Sequence, residues 1–335
     1  MVLNKKGIIF SLLAIGLAGL FVLLFATGYQ QRLDDQNDVI RARITSLDQG
    51  VDSFYDYAAE AQTIAGTAAL DALYQEINQS GTFLTSDNFE SNFTRCLNSS
   101  DGCENDLNLS VLLTNYSAII ATSLHADVQF SVNDVCLTQE TFWDLVVRTN
   151  ISISLTDTYA AWDTSRDITT TISTVGTYDP AYVAISASYG GAEDRRVFPT
   201  SIAPNSSRWN ISTFMDFYKG RQYQASQNGS CLSDRYEGSW TSSFQGCNLE
   251  SVVDADEHPR LKDPANQSIT HMDWQVLTRD MHACHDPVTN PDDFRVSISD
   301  ADDSLVLWNK DTIRYGLYPD HLDFSSPTYN APGCP

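Results

Sequence analysis

Asp280-Met281-His282-Ala283-Cys284-His285-Asp286 is the densest run of reactive side chains in the sequence. His282, His285 and Asp286, with His271 upstream, are residue types that ligate zinc. Two histidines three apart on a loop are a poor start for a tetrahedral site, and Cys284 is better used in a disulfide, so no metal is expected there. Asp300-Ala301-Asp302-Asp303-Ser304 begins like a calcium loop. Such a loop needs glycine at its sixth position and glutamate at its twelfth. Leu305 and Asp311 stand there instead, which reads as a solvated acidic turn. There is no G-x-S-x-G elbow and no H-E-x-x-H motif. Gly190-Gly191 reads as a turn, not a phosphate cradle. Trp143, Trp162, Trp209, Trp240, Trp274 and Trp308 are spread along the chain as core or rim residues would be. The expectation is a protein that is not an enzyme, with no cofactor and no catalytic or metal residues.

The residues that do form a pattern are acceptors and thiols. Ten N-x-Ser/Thr sequons occur, at Asn78, Asn92, Asn98, Asn108, Asn115, Asn150, Asn205, Asn210, Asn228 and Asn266. With roughly a fifth of the residues Ser or Thr, about four would arise by chance. The excess points to N-glycosylation, which takes place outside the cytoplasm. Seven cysteines point to the same compartment. Cys96 and Cys103 flank a short glycine-containing loop, Cys231 and Cys247 bracket a turn-rich stretch, and Cys284 is placed to tie down Cys334. Cys136 is then left over. None of these shows CxxC spacing, so structural disulfides are expected, with connectivity open.

The net charge is −23, and only five of the twenty cations are lysines: Lys5, Lys6, Lys219, Lys262 and Lys310. Nucleic acid is excluded as a partner, because phosphate contacts need Lys and Arg in number. Abundant Asp with few Lys is similar to the surfaces of proteins from salt-adapted organisms, where salt screens the self-repulsion.

Asn4-Lys5-Lys6-Gly7 runs directly into twenty uncharged residues, Ile8 to Thr27. An apolar helix of about 20 residues spans a hydrocarbon core of roughly 30 Å. The lysines in front of it favour a cytoplasmic N-terminus and an external remainder. A secretory signal would have a shorter apolar region, about 7 to 15 residues, and a small-x-small cleavage site. Phe21-Val22-Leu23-Leu24-Phe25 is bulky and Ala26-Thr27-Gly28 is a poor site, so a retained anchor is expected.

Lys5-Lys6-Gly7 followed by Ile8-Ile9-Phe10 resembles the class III signal of archaeal type IV prepilins. The resemblance implies cleavage between Gly7 and Ile8, leaving the apolar helix on the mature protein. Many pilins carry Glu at the fifth mature position; Leu12 stands there in this chain. An ordinary uncleaved signal-anchor remains the alternative. The whole chain also resembles a family of uncharacterised archaeal surface proteins from small-genome and halophilic lineages. The landmarks are Lys5-Lys6-Gly7, the segment from Glu76 to Leu84, the Tyr178-Asp179-Pro180 turn, the segment from Gly246 to Val253, and Arg314-Tyr315-Gly316-Leu317.

The elements that must position these groups begin with a helix. Leu33, Ile40, Ile44, Leu47, Val51, Phe54, Ala58, Ala61 and Ala65 follow steps of three and four, broken at Asn37, as in a coiled-coil seam. This predicts one near-continuous helix from about Ile8 to Ile77, with possible bends at Gly28, Gly50 and Gly66 and a stop at Asn78-Gln79-Ser80-Gly81. The seam needs a partner: neighbouring copies of the chain in a filament, or the chain's own globular part. Leu107 to Leu124 predicts a second helix. Alternation through Val128, Phe130 and Val132, then Val147, Thr149, Ile151, Ile153 and Leu155, then Ile168, Thr170 and Ile172 predicts three strands. From Tyr178 onward the chain reads as turn-rich and irregular, with short elements at Thr270 to Thr278 and Phe294 to Leu307.

The expected class is α+β: a long N-terminal transmembrane and coiled-coil-like helix, then an antiparallel β-rich head with a packed helix. The expected divisions are a basic lead at 1–7, an apolar span at 8–27, a helical stalk at 28–81 and a glycosylated head at 82–335. The functional expectation is a pilin-like filament subunit or pilin-like surface glycoprotein, mediating adhesion or cell contact. Its partners would be the membrane, other copies through the N-terminal helix, and surface glycans or other cells. The alternatives are a surface glycoprotein that does not polymerise and an anchored exo-enzyme.

Overall fold

The computed structural model describes residues 5–84, 88–99, 103, 105–158, 160–189, 195–200, 211–240, 246–253, 270–277, 295–300 and 303–308. The class is α+β with antiparallel sheets. Helices α1 (Lys5–Ser80), α2 (Phe89–Asn98) and α3 (Leu109–Leu124) come first. Strands β1 (Asp127–Thr138), β2 (Asp144–Thr156) and β3 (Ala161–Ser173) form a sheet in sequence order. The links at 139–143 and 157–160 are too short for a crossover, so neighbours run antiparallel.

The remaining elements are α4 (Ala181–Tyr189), α5 (Ile211–Lys219), β4 (Tyr223–Ser230), α6 (Leu232–Tyr236), β5 (Leu249–Val253), β6 (His271–Met272), α7 (Asp273–Leu277), β7 (Arg295–Asp300) and β8 (Asp303–Trp308). Strands β4-β5-β6 make a second sheet and β7-β8 a hairpin. Among the described residues, the stretch after Tyr178 holds short helices and strands, some near the expected Thr270 to Thr278 and Phe294 to Leu307 and others where the sequence read as irregular. Its elements are short, five residues each in α6 and α7, and buried on several sides, so neither period has room to show.

The meander matches its sequence signal. Leu145, Val147, Thr149, Ile151, Ile153 and Leu155 are all buried, one complete face of β2. Alternate side chains point to one side of a strand, so this face is dictated by the period-2 pattern. Helix α1 ends as its sequence predicts. Gly81 adopts φ +65° and its N–H donates to the Ile77 carbonyl at 2.8 Å, the left-handed closure that glycine permits.

Two compact units are distinguished: Met1–Tyr57 with Thr114–Ser131 and Ser152–Arg166, and Ala58–Leu113 with Val132–Ile151 and Asp167–Pro335. In the first unit, Leu47, Val51 and Phe54 of α1 are buried. Phe54 packs on Phe130 of β1, ring centroids 6.0 Å apart. Arg43 donates to the Asp157 carboxylate at 2.6 Å and to the Leu124 carbonyl at the end of α3. A cation there satisfies an orphan carbonyl and opposes the negative end of the helix dipole. Tyr55 donates its hydroxyl to the Thr164 carbonyl at 2.9 Å, beneath the Arg166 guanidinium.

In the second unit, Ala58, Ala61, Ala65 and Ala69 of α1 are buried. Gln62 Nε2 donates to the Val147 carbonyl at 2.8 Å and to Thr170 Oγ1 at 3.0 Å. A Cβ on Gly66 would stand 2.0 Å from Ile172 Cδ1, so glycine lets the helix meet β3 at close range. Tyr74 stacks on Tyr178 at 4.4 Å, and Tyr236 donates to the Leu70 carbonyl at 3.1 Å.

Of the two partners the seam could have, the chain's own globular part covers it over part of its length: Leu47, Val51 and Phe54 are buried in the first unit, and Ala58, Ala61 and Ala65 in the second. Gly50 and Gly66 are close-approach points inside α1.

Candidate functional site

Two places concentrate unusual chemistry. The first is in α1. Leu17, Leu20, Phe21, Val22, Leu23 and Phe25 are between 51% and 75% exposed. A soluble surface tolerates scattered apolar residues, and large exposed apolar patches are in general the kind that mark interaction sites. Val39 and Ile44, further along α1, are also exposed. Among the described residues no helix is long and apolar enough to cross a membrane. The span expected at Ile8 to Thr27 falls partly on side chains outside that description, as do those of Lys5, Lys6 and Ile8 at the expected processing junction beside Gly7.

The second place is a buried charged network in the second unit, which the sequence did not signal. Arg235, on α6, is fully buried. Its Nη1 donates to Asp179 Oδ2 at 2.6 Å and to Asp273 Oδ2 at 2.9 Å, and its Nη2 donates to the Leu249 carbonyl at 2.6 Å. Tyr223 donates its hydroxyl to Asp179 at 2.7 Å. Ser251 donates to Asp273 at 3.0 Å and accepts from Tyr182 at 2.7 Å. Arg195 Nη1 donates to the Tyr182 hydroxyl and to the Val252 carbonyl, the latter at 2.7 Å.

Local structure sets each member. Asp179 precedes Pro180 at the start of α4, and its Oδ1 accepts from the Ala181 N–H at 2.9 Å, an N-cap interaction. Asp273 is the first residue of α7. Two guanidinium groups face two carboxylates, so formal charge balances. Burial works against the Arg235 charge, but Asp179 and Asp273 outweigh it and hold its pKa above the ordinary value. Burial pushes the Tyr182 and Tyr223 hydroxyls up, out of reach of ionisation near neutral pH. Every carboxylate of the cluster is engaged and the group is sealed from solvent. Such an arrangement clamps α4, α6, β5 and α7 together; it offers no exposed nucleophile or base. Asp before Pro180 and Asp273 before Trp274 are the legible traces of it, as helix starts. Their shared partner Arg235 comes from a distant segment.

Glu250 forms a neighbouring buried site. It accepts from Gln224 at 2.6 Å, Ser226 at 2.8 Å and Trp274 Nε1 at 3.2 Å.

The thiols fall as spaced. Cys96–Cys103 and Cys231–Cys247 are disulfide-bonded, with Cα separations of 5.4 Å and 5.0 Å. Cys136 is free and exposed on β1. Cys284 and Cys334 lie outside the described residues, as do Asn205, Asn210, Asn266 and the run from Asp280 to Asp286. The side chain of Asn228 is outside them too. Among the described residues no group of His, Cys, Asp and Glu is placed to hold a metal ion. Of the other sequons, Asn78 and Asn115 are exposed, Asn98 and Asn150 are half-buried, and Asn92 and Asn108 are buried. Asn150 joins Asn133 and Asp167 in a polar row across the meander, and Asp167 pairs with Arg148. The Asp167 carboxyl lies below the usual range because Asn150 and Arg148 donate to it.

Comparison of the chain with protein-family models, with curated proteins and with solved structures finds no match.

Proposed function

We propose that this chain is a pilin-like surface protein held in a membrane by its N-terminal helix, with the rest of the chain outside, serving adhesion or cell contact. The observation that carries the reading is the exposed apolar set Leu17, Leu20 to Leu23 and Phe25 on α1, within the uncharged sequence that follows Lys5-Lys6-Gly7. Each such side chain gains about 1.5–3 kcal/mol on leaving water. Two environments supply that gain: lipid, or the same helix of neighbouring copies in a filament. The paired lysines orient the segment with its N-terminus inside. Two disulfides and the sequon excess support an external compartment.

A second reading, an anchored surface glycoprotein that does not polymerise, is favoured by the use of Leu47 to Ala65 as internal core. Among the described side chains of α1 between Phe25 and Leu47, Val39 and Ile44 are the exposed large apolar ones. The reading assigns no catalytic role.

The test has two parts. Terminal sequencing of the native protein should find Ile8 as its first residue; a start at Met1 excludes prepilin processing, and a start near Gly28 or Tyr29 removes the anchor altogether. Electron microscopy of cell-surface material should show filaments from the wild type and none from Val39→Asp or Ile44→Asp. Wild-type protein seen only as dispersed membrane-bound monomers selects the second reading.

A further inference from the structure

We propose that the fold sorts the sequons: Asn78 and Asn115 carry N-linked glycans, and Asn92 and Asn108 do not. The inference rests on the surface reading above for the compartment of glycan transfer. It adds which side chains are open to that chemistry. Transfer joins the asparagine Nδ2 to a sugar C1, breaks the C1–O bond of a lipid-phosphate-linked oligosaccharide, and releases an amide proton and the carrier phosphate. The acceptor nitrogen must therefore have a glycan's volume in front of it in any chain that also folds.

Asn108 has none. It is 2% exposed. Its Oδ1 accepts from the Val111 N–H at 3.0 Å as the cap of α3, and its Nδ2 donates to the Asn105 carbonyl at 3.1 Å. Asn92 is 7% exposed. Its Nδ2 donates to the Asn88 carbonyl at 3.2 Å, and its Oδ1 accepts from Arg95 at 3.3 Å. A sugar on either nitrogen would have to occupy space already filled, so a chain modified there before folding would not close this structure.

Asn78 lies in the last turn of α1, exposed together with Gln79 and Ser80. Asn115 is exposed on α3, with Val111 and Ile119 one turn to either side, 42% and 60% exposed. Residues four apart share a helix face. A glycan rooted at Asn115 would lay the C–H faces of its sugars over Ile119 and cover apolar surface that otherwise meets water.

The full-length protein, purified from its own cells in folded form, would be digested and its sequon peptides read by mass spectrometry. Glycan mass is expected on the Asn78 and Asn115 peptides, and none on those of Asn92 and Asn108. Occupancy at Asn92 or Asn108, or bare Asn78 and Asn115, overturns the proposal. Intact cells would be treated in parallel with a membrane-impermeant amine reagent. Labelled protein with bare Asn78 and Asn115 defeats the sorting alone, whereas protein inaccessible from outside defeats the surface reading beneath it. Asn115→Gln should remove one glycan's mass from the intact protein. Asn108→Gln should leave the glycan mass unchanged while lowering the melting temperature; loss of a glycan from Asn108→Gln also overturns the proposal.

Discussion

Arg235 shows how a single side chain sets the stability of the second unit. It is sealed from water and answers both Asp179 and Asp273. Removing one partner of a buried ion cluster leaves uncompensated charge, which costs about 3–5 kcal/mol. Arg235→Met should therefore lower stability by about that amount in denaturant titration. Adding Asp179→Asn and Asp273→Asn should restore part of it, because the stranded charges go too. A loss below about 1 kcal/mol for Arg235→Met would show that the cluster is not the clamp described. The tyrosines give a pH counterpart. Burial raises the hydroxyl pKa of Tyr182, Tyr223 and Tyr236 in the folded chain. An unfolded tyrosine ionises near pH 10. A raised folded value means their stabilisation is intact below pH 10 and is lost as pH rises above it. Alkaline titration followed by tyrosinate absorbance and circular dichroism should show these three ionising only as the fold is lost. Their ionisation in a chain with native circular dichroism would contradict their burial.

Helix α1 carries two kinds of apolar residue that look alike in sequence. Val51 is 2% exposed and Ile44 is 39% exposed, although both lie on the same heptad-like seam. Val51→Asp places a carboxylate into packed core and should destabilise the first unit by more than about 3 kcal/mol. Ile44→Asp should change stability by less than about 1 kcal/mol, as exposed substitutions do. Thermal melts of the two full-length variants, under the conditions used for the wild type, decide between an internal and an external seam. Equal loss in both would return Ile44 to the core; no loss in Val51→Asp would return the whole seam to intermolecular packing.

The whole chain carries 43 acidic against 20 basic residues. Repulsion among so many like charges opposes the compact state and is screened by salt, with a Debye length of about 3 Å at 1 M and about 30 Å at 0.01 M. The melting temperature of the full-length protein should fall steadily as salt is reduced from molar to millimolar. A flat response would mean that the charge is not an adaptation to salt.

Much of this protein follows from residue order alone. Alternation through β2 dictated a strand with one buried face, because the period of two permits no other way to hide Val147, Ile151, Ile153 and Leu155 together. The apolar rhythm and Gly81 placed the end of α1, since only a left-handed residue closes that turn cheaply. Loop spacing made Cys96–Cys103 and Cys231–Cys247 candidate pairs and left the connectivity open; the fold brings each pair together. Three-dimensional packing decided the rest. A seam of three-and-four steps states that a helix needs a partner, not which one; contacts with Phe130 in one unit and with Val147 and Thr170 in the other answered that. A sequon states acceptor chemistry, not exposure, so Asn108 and Asn115, seven positions apart, end up closed and open. Arg235 meets Asp179 and Asp273 across separations of 56 and 38 residues. Local propensity carries no record of such a meeting, because the free energy that selects it exists only once the chain has closed around all three and water has been excluded.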